Sequence, residues 1–206
     1  NGIANQVTGN ALPSTMTGTG NLNIQSSSGA VVTLTNNNTT TPTFNLLSGL
    51  FAAGNTQQLN ITSGGTVNAS GGDWVANNTA GLLNFAGSGT FTGSCNPYNV
   101  YTSGGVNFGS GTVTIQNGGT FRINIGGSVS TNAPFYASGS TLQYFTTSSY
   151  GRDLEWSTSS GRGYPHHVQI SNNTIVNPAN TGATKANVPL RTAGNFTIDS
   201  GSALYM

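Results

Sequence analysis

Charged side chains are the scarcest feature of this sequence. Only 4% of its 206 residues are charged and the net charge is +1, whereas roughly a quarter of an ordinary soluble domain is charged. Binding to phosphate backbones or to anionic membrane surfaces needs a basic stripe or cluster, which this composition excludes. No apolar run approaches the ~20 residues that span a bilayer as a helix. We therefore predict no nucleic-acid partner and no membrane insertion.

Cysteine and helix-forming residues are nearly absent as well. The one cysteine, Cys95, has no partner for an internal disulfide, so it does not indicate the redox compartment, and we expect a small buried thiol. The chain has one Lys, one Glu and no sustained 3.6-residue hydrophobic period, and this pattern argues against helices.

Turn formers and strand formers make up most of the chain instead. Gly, Ser, Thr and Asn supply just over half of it, and 9 Phe, 7 Tyr and 2 Trp stand among many Val and Ile. Aromatic and β-branched residues favour strands, while Gly and Asn favour the turns between them. Disordered chains are poor in these strand formers. The composition therefore predicts an all-β chain with many short strands.

One short unit recurs along the chain. It reads apolar–x–apolar, then small or polar residues around a turn, then apolar–x–apolar, as in "VTIQNGGTFRI". Copies occupy positions 22–34, 59–69, 83–93, 113–123, 168–178 and 196–206, with a weaker copy from 142. They begin roughly 24 to 37 residues apart, and a period of this size is typical of solenoids and other repeat arrays.

The geometry of one unit leaves two folds open. In 113–123, Val113 and Ile115 point to one side of a strand, Asn117 and the glycines turn the chain, and Phe121 and Ile123 resume the apolar face. Such a bend fits the corner of a coil. The alternative is a hairpin at Asn-Gly, which would give a β-sandwich or barrel.

Two observations favour the coil. The outward positions are Thr, Asn, Gln and Ser, without the charges that protect exposed sheet edges, and a circuit of this length closes once on itself. We predict a right-handed parallel β-helix (β-solenoid) with irregular coils of roughly 24–37 residues and with Asn and Thr ladders along its axis. Residues 1–206 are expected to form a single solenoid segment, an internal piece of a longer repeat protein that continues beyond Met206.

The stretches between the units are expected to be insertions that loop from one corner. They are residues 36–55 and 94–105. The first of them carries apolar residues at near-helical spacing, which suggests a short helical turn or a loop plug, at Leu46, Leu47, Leu50 and Phe51.

One segment differs in chemistry from the rest. Seven of the nine charged residues lie from Arg152 onward. The candidate ligand-binding residues are Tyr150, Arg152, Asp153, Glu155, Trp156, Arg162, Tyr164 and His167. We predict no catalytic residue, no metal site and no cofactor.

The carboxylates of this segment have two interpretations. Asp153 and Glu155, two apart on a strand, would face one side, at the short end of the separation used by glycosidases. Pairing with Arg152 and Arg162 is the simpler interpretation.

The aromatic and histidine side chains of the segment carry their own expectations. Leu154 and Trp156 are expected in the core, and Tyr164, before Pro165, at the surface. His166 and His167 would face opposite sides of a strand and not chelate one ion. Val168 and Ile170 should face inward, which leaves His167 and Gln169 outside.

Several phrases resemble a known family. "NLNIQSSSGAVVTL", "GTVTIQNGGTFRI", "GNFTIDSGSALYM" and, most distinctively, "YGRDLEWSTSSGRGYPHHVQISNNT" resemble the repeat regions of large surface proteins that Bacteroidetes export by type IX secretion. The resemblance runs from about Asn21 onward. It implies an extracellular, β-helical, structural or adhesive segment of a cell-surface adhesin, fibre or gliding filament. Its partners would be extracellular surfaces or polysaccharide, adjacent repeats and neighbouring copies, and no catalytic residue carries over.

Two other functions remain open for such a fold. A carbohydrate-active β-helix enzyme, a polysaccharide lyase or glycosidase, would use Asp153 and Glu155. An ice-binding solenoid would need flat Thr and Asn ladders at a fixed period, and the uneven spacing argues against it.

Overall fold

The computed structural model describes residues 6–7, 20–27, 29–35, 39–54, 56–76, 78–79, 81–177 and 190–205. These residues form short strands joined by bends and turns. The strands are β1 (Gln6–Val7), β2 (Asn21–Gln25), β3 (Val31–Leu34), β4 (Thr39–Ala53), β5 (Gln58–Ala69), β6 (Gly72–Trp74), β7 (Leu82–Phe85), β8 (Gly89–Gly93), β9 (Asn99–Thr102), β10 (Gly105–Asn107), β11 (Thr114–Ile115), β12 (Thr120–Asn124), β13 (Ser128–Val129), β14 (Phe135–Tyr136), β15 (Thr141–Phe145), β16 (Ser149–Gly151), β17 (His167–Ile170), β18 (Ile175–Asn177), β19 (Phe196–Ile198) and β20 (Ala203–Leu204).

The strands pair in parallel, each with its counterpart one coil away. For example, β12 lies between β9 and β15, with Phe121 opposite Val100 on one side and Leu142 on the other. The chain is thus an all-β parallel solenoid of about seven turns, and this prediction is confirmed. The hairpin alternative is wrong, because β11 and β12, which flank the Asn-Gly turn, pair with strands of neighbouring coils and not with each other.

A complete coil has three faces. The first face carries residues such as 59–61, 83–85, 100–102, 121–123, 142–144, 168–170 and 196–198. The second face carries 22–24, 44–46, 67–69 and 91–93, and the third carries 31–34, 50–53, 73–74, 113–115 and 135–136. Corners between the first and second faces bend tightly, as at Gly64 (φ 77°) and Gly126 (φ 78°).

The core is a column of inward side chains stacked from coil to coil. Phe85, Phe91, Phe108 and Phe121 follow one another with ring centroids 5.0 to 5.3 Å apart, and none of the four is exposed. Aromatic pairs at this separation add about 0.5–1.5 kcal/mol to the free energy of burial. Cys95 belongs to the same column at 2% exposure, and burial raises the pKa of its thiol, as expected for a structural cysteine.

Several coils are shorter than predicted. Leu82 pairs directly with Asn99 of the next coil. Arg122 bonds to Gln143, which lies one coil and 21 residues further on. Both coil lengths are shorter than the range inferred from the repeat. The discrepancy arises because the unit occurs at different corners. Most copies run from the first to the second face, but 22–34 runs from the second to the third, and 113–123 from the third to the first face of the next coil.

The two segments that were expected to be insertions are parts of the coils themselves, so that prediction is wrong. Strand β4 spans most of residues 36–55 and pairs with β2, β3, β5 and β6, and β9 and the Cys95 bridge to Val113 occupy 94–105. The chain bends at Gly49 (φ 78°), so the alternation of inward and outward residues changes phase there. As a result, Leu46 and Phe51 both point inward although they are an odd number of residues apart, and Leu47 is exposed. This change of phase explains the near-helical spacing. The helical turn predicted there is wrong.

Outward side chains form the predicted ladders. Asn45 donates from Nδ2 to Asn23 Oδ1 (2.7 Å), Asn68 donates to Asn45 (3.3 Å), and the Thr92 hydroxyl donates to Asn68 (3.1 Å). An amide carries both a donor and an acceptor, so identical amides can bond each other at every coil.

Two further expectations concern membranes and the end of the chain. No helix in the described part is long and apolar enough to cross a membrane. The last repeat unit was expected to continue beyond Met206, and this residue lies outside the described part of the chain. The last described coil exposes Phe196 (40%) and Ile198 (43%).

Close approach of coils at a corner gives a test of the stacking. A Cβ on Gly93 (φ 81°) would lie 1.9 Å from the Ala69 carbonyl oxygen of the preceding coil, whereas one on Gly64 (φ 77°) would meet nothing within 4 Å. Gly64→Ala should therefore cost about 1–2 kcal/mol, for backbone conformation alone. Gly93→Ala should cost about 1–3 kcal/mol more, from the clash.

The measurement is urea unfolding followed by circular dichroism, with Gly64→Ala as the matched control because both glycines are exposed and have similar φ. Equal losses of unfolding free energy in the two variants would show that the coils do not approach each other as closely as described.

Candidate functional site

The charged segment begins where β16 ends, and Glu155 lies at its centre. The chain leaves the strand at Gly151 and turns through 152–156, which carries the Glu155 side chain to 0% exposure. Its Oε1 accepts hydrogen bonds from the Tyr144 hydroxyl (3.0 Å) and from the Asp153 amide (2.8 Å). The Tyr136 hydroxyl donates to the backbone carbonyl of Glu155 (3.2 Å).

This environment disfavours the ionised carboxylate. Burial raises the pKa of Glu155 from 4.5 to about 7, against the opposing effect of the hydrogen bonds from Asp153 and Tyr144. The same burial, reinforced by the carboxylate, raises the pKa of the Tyr144 hydroxyl. Glu155 is therefore a carboxyl group inside the core, in contact with the tyrosines Tyr136 and Tyr144.

The carboxylate pair on one strand face, one of the two interpretations of the sequence, does not form. Asp153 and Glu155 lie in a turn and not on a strand, so the alternation that would put them on one face does not apply. Glu155 points inward at 0% exposure, while Asp153 stays half-buried. The two side chains therefore differ in exposure, whereas both carboxylates of a glycosidase reach the sugar.

The arginines hold backbone carbonyls. Arg162 donates to the carbonyl oxygens of Ala133 (2.9 Å), Ser110 (3.1 Å) and Gly111, and its guanidinium carbon lies 4.8 Å from the Phe135 ring centroid. The expectation that Arg162 pairs with the Asp153 and Glu155 carboxylates is thus replaced by a contact with earlier coils. Arg152 is 4% exposed and donates to the Trp156 carbonyl oxygen (2.7 Å).

The aromatic residues divide between core and surface in part as expected. Trp156 is 2% exposed, and its Nε1 donates to the Arg191 carbonyl oxygen (2.7 Å), which confirms it as core. Leu154, predicted to share that face, is 37% exposed, because the turn does not follow strand parity. Tyr150 packs 5.2 Å from the Tyr144 ring, and Tyr164 is half-buried instead of exposed.

The two histidines lie closer together than predicted. His166 precedes β17, so strand alternation does not separate it from His167, and their ring centroids are 4.4 Å apart. His167 Nδ1 accepts a hydrogen bond from the Asn195 amide (2.9 Å). Partial burial and His166 lower the pKa of His167. Val168 and Ile170 face inward and His167 faces outward, as expected.

A protein metal site usually needs three or four ligating side chains at one place. Within the described ranges, no three His, Cys, Asp or Glu side chains come together in a way that could hold a metal ion.

A second cluster, which sequence reasoning missed, lies on the outward side of the first face. The Arg122 guanidinium carbon lies 4.2 Å from the Tyr101 ring centroid and 4.6 Å from that of Phe145. We call these three residues the Arg122 cluster. They come from three successive coils, β9, β12 and β15. The signal that would have found them is the spacing of 21 residues between partners on adjacent coils, as from Arg122 to Gln143.

A relay of side-chain hydrogen bonds extends from this cluster. Arg122 Nε donates to Gln143 Oε1 (2.5 Å), Gln143 Nε2 to Gln169 Oε1 (3.0 Å), and Gln169 Nε2 to Asp199 Oδ2 (2.9 Å). Arginine only donates and a carboxylate only accepts, so the two ends fix the orientation of both amides between them. Four coils are thereby linked on the outside, from a cation to an anion.

The buried Glu155 predicts how stability depends on pH. Its pKa is about 7 in the folded chain against 4.5 normally. The folded state therefore holds this proton more tightly, and the contribution of Glu155 to stability falls as pH rises from about 4.5 to 7. The loss of unfolding free energy over this pH range is on the order of 3 kcal/mol.

Glu155→Gln keeps a carbonyl acceptor for Tyr144 and Asp153 but cannot ionise. We expect this variant to lose that part of the pH dependence and to be at least as stable as the parent chain at pH 8. Urea unfolding at several pH values from 4 to 8 measures this. The same slope in both proteins would contradict the assignment.

Comparison with protein-family models, with curated proteins and with solved structures gives no match to the chain. Its own residues are therefore the basis for a functional proposal.

Proposed function

We propose that this chain is a non-enzymatic, structural and adhesive segment of a large secreted cell-surface protein. The stacking of about seven coils into one parallel solenoid carries the proposal. Such a stack is a stiff element that presents a long, repetitive outer surface, on which weak contacts multiply by avidity. The likeness of its repeated phrases to type IX-secreted surface proteins of Bacteroidetes supports the same role.

The roles of the charged residues also support an adhesive over a catalytic function. Glu155 is fully buried, and Arg162 is bonded to backbone carbonyls of earlier coils. These residues hold the irregular segment 152–164 against the solenoid. An enzyme of this fold would instead need acid and base groups that a substrate can reach. The outward surface offers Asn, Gln and Thr side chains, which match the hydroxyl groups of polysaccharides as donors and acceptors.

Adhesion can be separated from catalysis in one experiment. Beads that carry the chain at several densities are washed over surfaces coated with neutral or acidic polysaccharides, and the polysaccharide is then analysed for new chain ends. We expect retention to rise steeply with bead density, weak binding of the single soluble chain, and no new reducing or unsaturated ends.

The control beads carry heat-denatured chain. New chain ends that accumulate with time would establish the carbohydrate-active alternative in place of an adhesive role. Retention no greater than that of the control beads on any surface would remove the adhesive role itself.

A further inference from the structure

The Arg122 side chain is held in place by its neighbours on adjacent coils. The guanidinium lies between the faces of two aromatic rings, and its Nε is bonded to Gln143. These contacts hold the plane of the group in place before any ligand arrives, which lowers the entropy lost on binding. Both rings and the amide come from neighbouring coils, so the solenoid itself orients the arginine.

Arg122 retains donors for a ligand. Within the described part of the chain, Nε is the one guanidinium nitrogen of Arg122 that donates to a protein acceptor. The side chain is only partly buried. A guanidinium offers five N–H donors, and its outer edge matches a carboxylate in a two-pronged contact. An aromatic sandwich also keeps water away from the faces of the cation, which strengthens such a contact.

The surroundings of Arg122 suit a sugar carboxylate better than a polyanion. Among the described outward positions of the first face, Arg122 is the one Lys or Arg side chain, and its neighbours are amides and hydroxyls such as Asn99, Thr120, Asn124 and Thr141. Nucleic acid needs several cations at once. A polysaccharide with one carboxylate per sugar needs one cation and many hydrogen-bonding groups, and these repeat along the coils about every 4.8 Å.

We propose that the Arg122 cluster binds a uronic-acid unit of an acidic polysaccharide, with the sugar carboxylate on the Arg122 guanidinium and its hydroxyls on the flanking amides and hydroxyls. The proposal rests on the adhesive function above and names its ligand class. Tyr101 and Phe145 are positioning residues, because they act through Arg122.

The test is the affinity of the soluble chain for oligogalacturonate, measured by calorimetry at low salt, against the methyl-esterified oligosaccharide. The ester keeps the ring and linkage and removes the charge. We expect the free acid to bind at least about tenfold more tightly than the ester, and added salt to weaken it. Arg122→Gln should remove this preference. Arg122→Lys should restore little of it, because an ammonium cannot make the two-pronged contact.

Arg191→Gln is the matched control, since it removes one exposed arginine elsewhere and should leave the affinity unchanged. Phe145→Leu removes one ring of the sandwich and should weaken binding of the acid while leaving binding of the ester unaltered. Circular dichroism shows whether each variant keeps its β-structure.

The site and the adhesive function fail in different ways. Equal binding of acid and ester, or an acid preference that survives Arg122→Gln, would overturn the site while beads could still adhere through other contacts. Absence of both oligosaccharide binding and bead retention would overturn the site and the adhesive function together.

Discussion

The described part of this chain depends throughout on the parallel backbone hydrogen bonds between one coil and the next. A single coil has short strands on three faces and cannot cover its own apolar side chains. When coils stack about 4.8 Å apart, inward rings of one coil meet those of the next, as Phe91 meets Phe108. Register and burial are therefore fixed together, because a shift of one residue would turn every inward side chain outward.

The same spacing accounts for the scarcity of charge. Residues at equivalent positions of adjacent coils lie side by side, so a charge kept from coil to coil would face its own copies at close range. Amides and hydroxyls avoid this repulsion, since each one donates to one neighbour and accepts from the other, as Asn45 does between Asn23 and Asn68. Among the described residues, several of the few charges terminate a relay or join coils, as Arg162 does with the Ala133 carbonyl. Arg122 and Asp199 close the two ends of an amide relay.

The sequence was sufficient for features that depend on local pattern. Alternating apolar residues with glycine-rich turns predicted the parallel coils and the amide ladders. Coil length was not predictable in the same way, because one local pattern serves three different corners and only pairing between coils tells them apart. The positions of Asp153, Glu155 and Leu154 were misjudged because strand parity was applied to a turn.

Sequence reasoning missed the Arg122 cluster for a related physical reason: the coil length that relates its members was not known. Tyr101, Arg122 and Phe145 belong to three different coils, so no short window of sequence contains them, and each alone looks like an ordinary outward strand residue. Their proximity is produced by stacking. In a solenoid, then, the chemistry that is dense in sequence and the chemistry that is dense in space need not coincide. In this chain, the acidic turn at Asp153 and Glu155 carries its glutamate into the core, while an arginine that is isolated in sequence lies between two aromatic rings on the outer surface.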